Sequence, residues 1–197
     1  MKTNQLTPLI LASQSPRRRQ LLSEAGFSFE VIAPDDSVEK GICSNCGPEQ
    51  LVIDAAVAKA TAIAQEIDHG IILGADTVAS CKAEILGKPV DVDHARAMLK
   101  LMSGTVHHVL TGVCLWHRPS NKFASYLERT TLEMEKLSDQ KIEDYLDTDQ
   151  WIDKAGAFGY QDGLDFVRII EGLESTVVGL PVEKIQSWIN NLMGKIA

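Results

Sequence analysis

The chain has 197 residues and a net charge of −8 at pH 7. Hydrophobic residues make up 45% of the sequence and charged residues 23%, which is typical of a globular protein with enough apolar mass for a core. The acidic balance argues against a nucleic-acid polymer as partner, because such binding depends on clustered lysine and arginine. No apolar run approaches the roughly 20 residues that span a bilayer, and the short apolar stretch near the N-terminus does not suit a signal peptide. We therefore expect a single domain over residues 1–197, no membrane partner and a cytoplasmic location.

Hydrophobic periodicity, caps and turn residues predict a succession of strands and helices. Ser15-Pro16, for example, supplies an N-cap and a first-turn proline, and Gly26 follows where that helix would end. The mixture of βα units and long hairpins predicts an α/β or α+β fold with a mixed sheet. The predicted elements, in chain order, are a strand at 9–12, a helix at 16–25, a strand at 27–33, a polar loop at 34–48, a helix at 48–67, a strand at 71–79 with a hairpin partner at 84–86, a helix at 91–102, strands at 105–117 and 123–135, a helix at 138–146, a strand at 165–170 and a helix at 181–194.

Three consecutive arginines, Arg17 to Arg19, fill the first turn of the predicted helix at 16–25. The helix dipole already places partial positive charge there, so each cation costs roughly 0.3–1 kcal/mol unless an anion compensates. Backbone N–H groups at a helix N-terminus and arginine forks both suit phosphate oxygens. We favour a phosphate-binding turn over the alternative that these arginines only pair with surface acids.

Three further charged residues stand where charge is unusual. Lys59 falls on the apolar side of the helix at 48–67, so its amine either extends to solvent, the commoner outcome, or meets an anion. Asp76 interrupts a hydrophobic strand two residues after Gly74, which permits close backbone approach; such an acid caps a turn, or faces a cleft as a base or metal ligand. Lys88 follows the hairpin partner of that strand, which places it where it can share a site with Asp76.

Two other segments carry less specific signals. The glycine-rich stretch at 153–161 lets backbone approach a flat ligand, and the amide of Gln161 can read a base edge, although an ordinary turn is the alternative. Cys43 and Cys46 form a C-x-x-C motif, which is half a zinc site, a redox pair or a pair of ordinary reduced thiols. We favour reduced thiols, because no second pair completes a zinc set.

Taken together, five segments resemble the Maf family of nucleoside triphosphate pyrophosphatases. The resemblance spans residues 9–181. It implies an elongated mixed α/β fold of the inosine-triphosphatase type, with two lobes around a central cleft, and a homodimer. It also implies hydrolysis of a nucleoside triphosphate between its α- and β-phosphates, assisted by Mg²⁺ or Mn²⁺. The matching segments are S-x-S-P-R-R from Ser13, G-A-D-T from Gly74, L-G-K-P from Leu86, D-K-A-G-A-F-G from Asp153 and V-G-L-P from Val178.

The resemblance also implies roles for individual residues. Asp76 corresponds to the family's proton acceptor, with metal binding as its alternative or additional role. The loop after the second strand carries a further metal-binding carboxylate in the family, which we assign to Glu39, with Asp36 as the alternative. The implied substrate-binding residues are Ser13, Arg17, Arg18, Lys59, Thr77, Lys88 and Gln161.

The segment Gly159-Tyr160-Gln161 resembles the branch of the family that acts on dTTP and UTP, whereas a sister branch prefers 7-methyl-GTP. Two functions of another class stay open at this point. One is a nucleotide-binding regulator of cell division with incidental hydrolysis. The other is a zinc-dependent regulator that uses Cys43 and Cys46.

Overall fold

A computed structural model describes residues 7–39, 42 and 46–196, apart from the side chains of Asp36 and Glu39. Single 3₁₀ turns lie at Asp36–Glu39, Ala155–Ala157 and Tyr160–Asp162. The strands are β1 (Leu9–Ala12), β2 (Phe29–Val31), β3 (Gly70–Cys81), β4 (Glu84–Leu86), β5 (Val106–Arg118), β6 (Lys122–Met134) and β7 (Val167–Glu171). The helices are α1 (Pro16–Glu24), α2 (Gly47–Ala64), α3 (Val92–Met102), α4 (Asp139–Leu146), α5 (Glu174–Val178) and α6 (Val182–Gly194).

The strands form a seven-stranded mixed sheet in the order β2-β1-β3-β5-β6-β7, and β4 pairs with β3 outside this path. β1 runs parallel to β2 and β3, whereas the remaining pairs are antiparallel. In the long β5–β6 hairpin, β5 is buried at every position from Val109 to Leu115, so both of its faces are covered, whereas β6 alternates between buried and partly exposed side chains from Thr130 to Met134. The predicted mixed sheet with flanking helices is confirmed. Among the described helices, none has the length and apolarity needed to cross a membrane.

Two apolar clusters divide the molecule into lobes along the length of β3 and β5. In the first lobe, Leu73 of β3 packs with Leu22 of α1 and Trp188 of α6. In the second, the other ends of the same strands pack with Leu99 of α3 and Ile142 of α4. Because the same long strands run through both clusters, the lobes share one continuous sheet.

Two glycines bring helix α2 directly onto this sheet. A Cβ on Gly74 of β3 would collide with the carbonyl oxygen of Ala56, and a Cβ on Gly112 of β5 would collide with that of Val52. The backbone of α2 therefore rests on β3 and β5 without intervening side chains. The close backbone approach predicted at Gly74 is confirmed, and its partner is a helix of the same chain.

The sequence pattern missed helix α5. This helix has five residues, too few for a helical period to show, and it contains Thr176 and two valines, which favour strands locally. Tertiary contacts outweigh that preference, since Ser175 and Thr176 are buried against the sheet.

We expect Gly112→Ala to lower the free energy of unfolding by about 1–3 kcal/mol, because the added methyl group forces α2 away from β5. Urea unfolding measures the change. The matched control is Gly194→Ala at the end of α6, where a Cβ meets open space; its stability should stay within about 1 kcal/mol of the wild type. Equal stability of the two variants would contradict the packing described here.

Candidate active site

The candidate site lies where one edge of β3 has no strand partner. β1 pairs with β3 as far as Gly74, and β4 pairs with it from Ala79 onward. Within the described ranges, residues 75–78 between these two strands therefore border a cavity instead of a neighbouring strand. Since β1 runs parallel to β3 and ends at this point, the turn from β1 into α1 lies beside the gap, which is a common position for ligand sites in α/β sheets.

A cavity of about 980 Å³ opens at this gap, and its walls come from both lobes. Ligand pockets commonly measure about 300–1,000 Å³, so a nucleotide fits within it. Asp76 lines this cavity together with every predicted substrate-binding residue. These are Ser13, Arg17, Arg18, Lys59, Thr77, Lys88 and Gln161. The fold thus brings together side chains from five separate segments of the sequence.

Lys59 and Asp76 form an ion pair on the wall of the cavity. The Lys59 Nζ atom lies 2.7 Å from Asp76 Oδ1 and 3.3 Å from the carbonyl oxygen of Ala75. The two side chains are only 12% and 19% exposed, so water screens their attraction less than that of a surface pair. Lys59 therefore meets an anion, and the commoner outcome of extension to solvent is wrong here. No described residue donates to the second carboxylate oxygen, Asp76 Oδ2.

Arg18 is 9% exposed and ties three segments of the site together. Its Nε donates to the carbonyl oxygen of Gly179 at 2.8 Å, its Nη1 to Ser13 Oγ at 3.3 Å and its Nη2 to Thr77 Oγ1 at 3.1 Å. The guanidinium group thereby holds the β1–α1 turn and the α5–α6 turn against β3. Arg18 and Ser13 line the cavity as predicted, and they also serve the structure of its wall.

The hydroxyl group of Thr77 has a fixed direction within a chain of hydrogen bonds. Thr111 Oγ1 donates to the carbonyl oxygen of Thr176 at 2.8 Å, and this uses its single hydrogen. Thr77 then donates to Thr111 across their 2.9 Å contact, which is shorter than its 3.5 Å distance to the carbonyl oxygen of Gly179, while it accepts from Arg18. Sequence reasoning missed Thr111, because its role depends on the register that places it directly opposite Thr77 across the sheet.

Arg17 and Lys88 converge on Asp153 from opposite walls of the cavity. Arg17 Nη2 donates to the carbonyl oxygen of Asp153 at 2.9 Å, and Lys88 Nζ lies 3.5 Å from its carboxylate. The side chains of Lys88 and Asp153 are 65% and 76% exposed, so their pairing contributes at most about 1 kcal/mol. A ligand anion therefore has access to this lysine at little cost.

Phe158 lines the cavity near Gln161 and rests on a buried histidine. The rings of His107 and Phe158 meet edge to face, with centroids 5.5 Å apart. His107 is 1% exposed, and neither ring nitrogen has a hydrogen-bond partner within the described part of the chain. Burial, the largest influence, lowers the pKa of His107 to about 4, so the ring is neutral at pH 7.

Three predicted positions, Asp36, Glu39 and Cys43, lie partly or wholly outside the described residues. The side chains of Glu39 and Asp36 are not described, so the metal-binding role of Glu39 stays a prediction. Cys43 lies outside the described residues. Cys46 stands exposed at the N-cap of α2 and is disulfide-bonded, so the expectation of a reduced thiol is wrong at Cys46.

A lobed α/β protein with a polar cleft at its sheet edge is the class that this fold and site define. The family model for Maf-like proteins matches residues 8–192. The chain is 51% identical to a dTTP/UTP pyrophosphatase of Rhodopirellula baltica, over 93% of this chain and 81% of that protein. It is 41% identical to a dTTP/UTP pyrophosphatase of Bacillus cytotoxicus, over 89% of this chain and 91% of that protein. The chain belongs to the Maf family.

A solved structure supports the fold independently. The structure of a HAM1 protein from Coxiella burnetii matches with a TM-score of 0.51 and 12% sequence identity, over 94% of this chain and 100% of that chain. At this identity, the likeness concerns the fold alone.

Thr77→Val should lower the free energy of unfolding by about 1–3 kcal/mol, because Arg18 and Thr111 each lose a hydrogen-bond partner. Thr77→Ser keeps the hydroxyl group and loses one methyl group, so its loss should stay near 1 kcal/mol or below. Chemical denaturation of both variants checks the hydrogen-bond chain, and equal losses in the two would contradict it.

His107 should make the stability of the protein depend on pH. Between pH 6.5 and 4 the unfolded chain binds a proton at this residue and the folded chain does not, so stability falls as the pH falls through this window. From pH 7 to pH 4, the wild type should lose about 3 kcal/mol more than His107→Leu. Urea unfolding at the two pH values measures the difference, and parallel losses would show that the ring is not buried as described.

Proposed function

We propose that this protein hydrolyses dTTP and UTP between the α- and β-phosphates, with release of the nucleoside monophosphate and pyrophosphate. The observation that carries the proposal is the convergence of one aspartate, Asp76, with lysine and arginine side chains on a single cavity. The relatives from R. baltica and B. cytotoxicus, both named dTTP/UTP pyrophosphatase, support the choice of substrate.

The triphosphate binds across the cleft, between the cations of its two walls. Arg17 stands in the first turn of α1, where the helix dipole adds partial positive charge, and Lys88 stands on the opposite wall. Their present contacts to Asp153 are exposed and weak, so phosphate oxygens replace them readily. This binding gives the arginines of the first turn the anion that their position requires.

Asp76 accepts the proton of the attacking water. Lys59 holds Oδ1 of the carboxylate, which leaves Oδ2 to accept a hydrogen bond from the water. The oxygen of the water forms a bond to the α-phosphorus, the bond from that phosphorus to the bridging oxygen breaks, and pyrophosphate leaves with the electron pair. Lys59 and Lys88 stabilise the charge that develops on the phosphate oxygens.

A divalent cation, Mg²⁺ or Mn²⁺, belongs to the proposal. Over the described residues, no group of three histidine, cysteine or acidic side chains is placed to hold a metal ion. The hard oxygen of Asp76, with substrate phosphates and the predicted ligand Glu39, suits an ion that is carried largely by the nucleotide. Such an ion would neutralise phosphate charge when bound. The homodimer and the cytoplasmic location are also part of the proposal, as implied by the resemblance and the sequence.

Pyrophosphate release from dTTP, UTP and 7-methyl-GTP, with and without Mg²⁺, tests the activity. We expect kcat/KM for dTTP and UTP to exceed that for 7-methyl-GTP at least tenfold, and we expect chelation of the metal to reduce turnover. Preference for 7-methyl-GTP would place the chain in the other branch. Tight nucleotide binding without turnover would favour the alternative function of a nucleotide-binding regulator of cell division.

Asp76→Asn should lower kcat for dTTP by about 10²–10⁴-fold, because the amide keeps the shape of the side chain but cannot accept the proton. Nucleotide binding, measured by calorimetry, should change little. Loss of Mg²⁺ affinity in the variant, with nucleotide affinity intact, would instead assign metal binding to Asp76. The control is Asp54→Asn on α2, which bonds to Gln50 outside the cavity and should keep wild-type turnover. Unchanged turnover in Asp76→Asn would remove this residue from its role.

A further inference from the structure

Lys154 lines the cavity and forms a second ion pair, with Asp162, which has no part in the proposed hydrolytic step. Its side chains are 12% and 19% exposed, the same values as in the Lys59–Asp76 pair. In every remaining ion pair of the described residues, at least one side chain is 43% exposed or more. Burying two charges brings little net stability, so a pair of this kind calls for another explanation, such as fixing one conformation.

The pair closes a loop of nine residues, from Lys154 to Asp162, that contains Gly159. Lys154 precedes the 3₁₀ turn Ala155–Ala157, and Asp162 ends the turn Tyr160–Asp162. A Cβ on Gly159 would collide with the charged groups of both partners, so a larger residue at this position would displace the ion pair. The ion pair and this glycine therefore specify one path for the segment.

Gln161 lies within this loop, directly before Asp162. Its side chain lines the cavity and is exposed, and no hydrogen-bond partner holds its amide anywhere in the part of the chain that the structure describes. Both the donor and the acceptor of the amide are consequently available to a ligand. The position of the amide depends on the turn that carries it, and the turn depends on the ion pair.

We propose that Lys154 and Asp162 are positioning residues for Gln161, and that their ion pair sets the preference of the cavity for a pyrimidine base. This inference rests on the proposed function. Asp76 and Lys59 stand on β3 and α2, outside the loop, so loss of the pair should weaken base discrimination and leave the hydrolytic step largely intact. The role is thus separable from a direct contact of Lys154 with phosphate, which would affect all nucleotides alike.

The test compares binding of α,β-methylene-dTTP and α,β-methylene-dGTP by calorimetry in the wild type, Asp162→Asn, Lys154→Met, Gln161→Ala and the double variant Asp162→Asn/Gln161→Ala. We expect each single variant to reduce the dTTP-to-dGTP affinity ratio by about tenfold. The double variant should reduce it no further than Gln161→Ala, because residues that act through one another are not additive. Lys154→Arg, which keeps the charge, should restore most of the ratio.

Asp165→Asn is the matched control. It removes the same charge three residues further along, from an aspartate that is 80% exposed and paired with Lys141, and it should keep the wild-type ratio. Thermal unfolding of every variant identifies those that fail to fold, and Asp162→Ser, which also removes the charge, replaces Asp162→Asn if that variant does.

Three results would overturn the inference. One is an unchanged ratio in folded Asp162→Asn while Gln161→Ala lowers it. The second is an equal loss of affinity for both analogues in Lys154→Met, with wild-type affinities in Asp162→Asn. That result would make Lys154 a phosphate ligand. The third is a wild type that binds both analogues equally. Turnover of dTTP by the wild type is measured alongside and tests the proposed function separately, since the binding ratio does not depend on hydrolysis.

Discussion

The contact between Lys59 and Asp76 is the interaction on which the site depends. It forms because α2 lies on the sheet at two glycines, Gly74 and Gly112, with its backbone against the strands. A side chain at either position would lift the helix and separate the amine from the carboxylate. The pair also fixes the orientation of the carboxylate, since the Lys59 amine on Oδ1 of Asp76 determines where Oδ2 points. The packing of α2 on the sheet and the geometry of the Lys59–Asp76 pair therefore depend on the same two glycines.

The position of the cavity follows from the lengths of two short strands. β1 ends at Ala12 opposite Gly74, and the antiparallel strand β4 ends at Leu86 opposite Ala79, so neither covers the middle of the long strand β3. The apolar clusters on either side fix the two walls, and the buried chain from Arg18 through Thr77 closes one end. An unpaired sheet edge can pair with a strand of another molecule. Here charged side chains lie along the unpaired edge of β3, and they disfavour such pairing.

Much of this architecture was predictable from sequence, because it rests on local patterns. The β5–β6 hairpin and helices α3 and α6 carry clear alternation or helical periodicity, and the motifs located the site residues that line the cavity. The predicted roles of these residues rest on the family resemblance and on charges at positions that disfavour them, namely the first turn of a helix, an apolar helix face and a strand interior. Lys59 was the harder case, since lysine statistics favour solvent and only the sheet contact decides otherwise.

The remaining features could not be predicted, because each depends on contacts between segments distant in sequence. Thr111 matters through its register opposite Thr77, and His107 through the ring of Phe158. Helix α5 is too short to show a period. The partnership of Lys154 with Asp162 needs the turn geometry at Gly159. In each of these cases the residue type carries no signal of its own, and its role is set by a neighbour that only the folded structure brings into contact.

The most direct measurement of the central claim is a crystal structure of the protein with α,β-methylene-dTTP. The account predicts that the triphosphate lies in the cavity at the free edge of β3, with Lys59 and Lys88 beside its phosphates and the α-phosphate within one water molecule of Asp76. An analogue bound elsewhere on the molecule, or bound in the cavity with its phosphates turned away from Asp76, would contradict it.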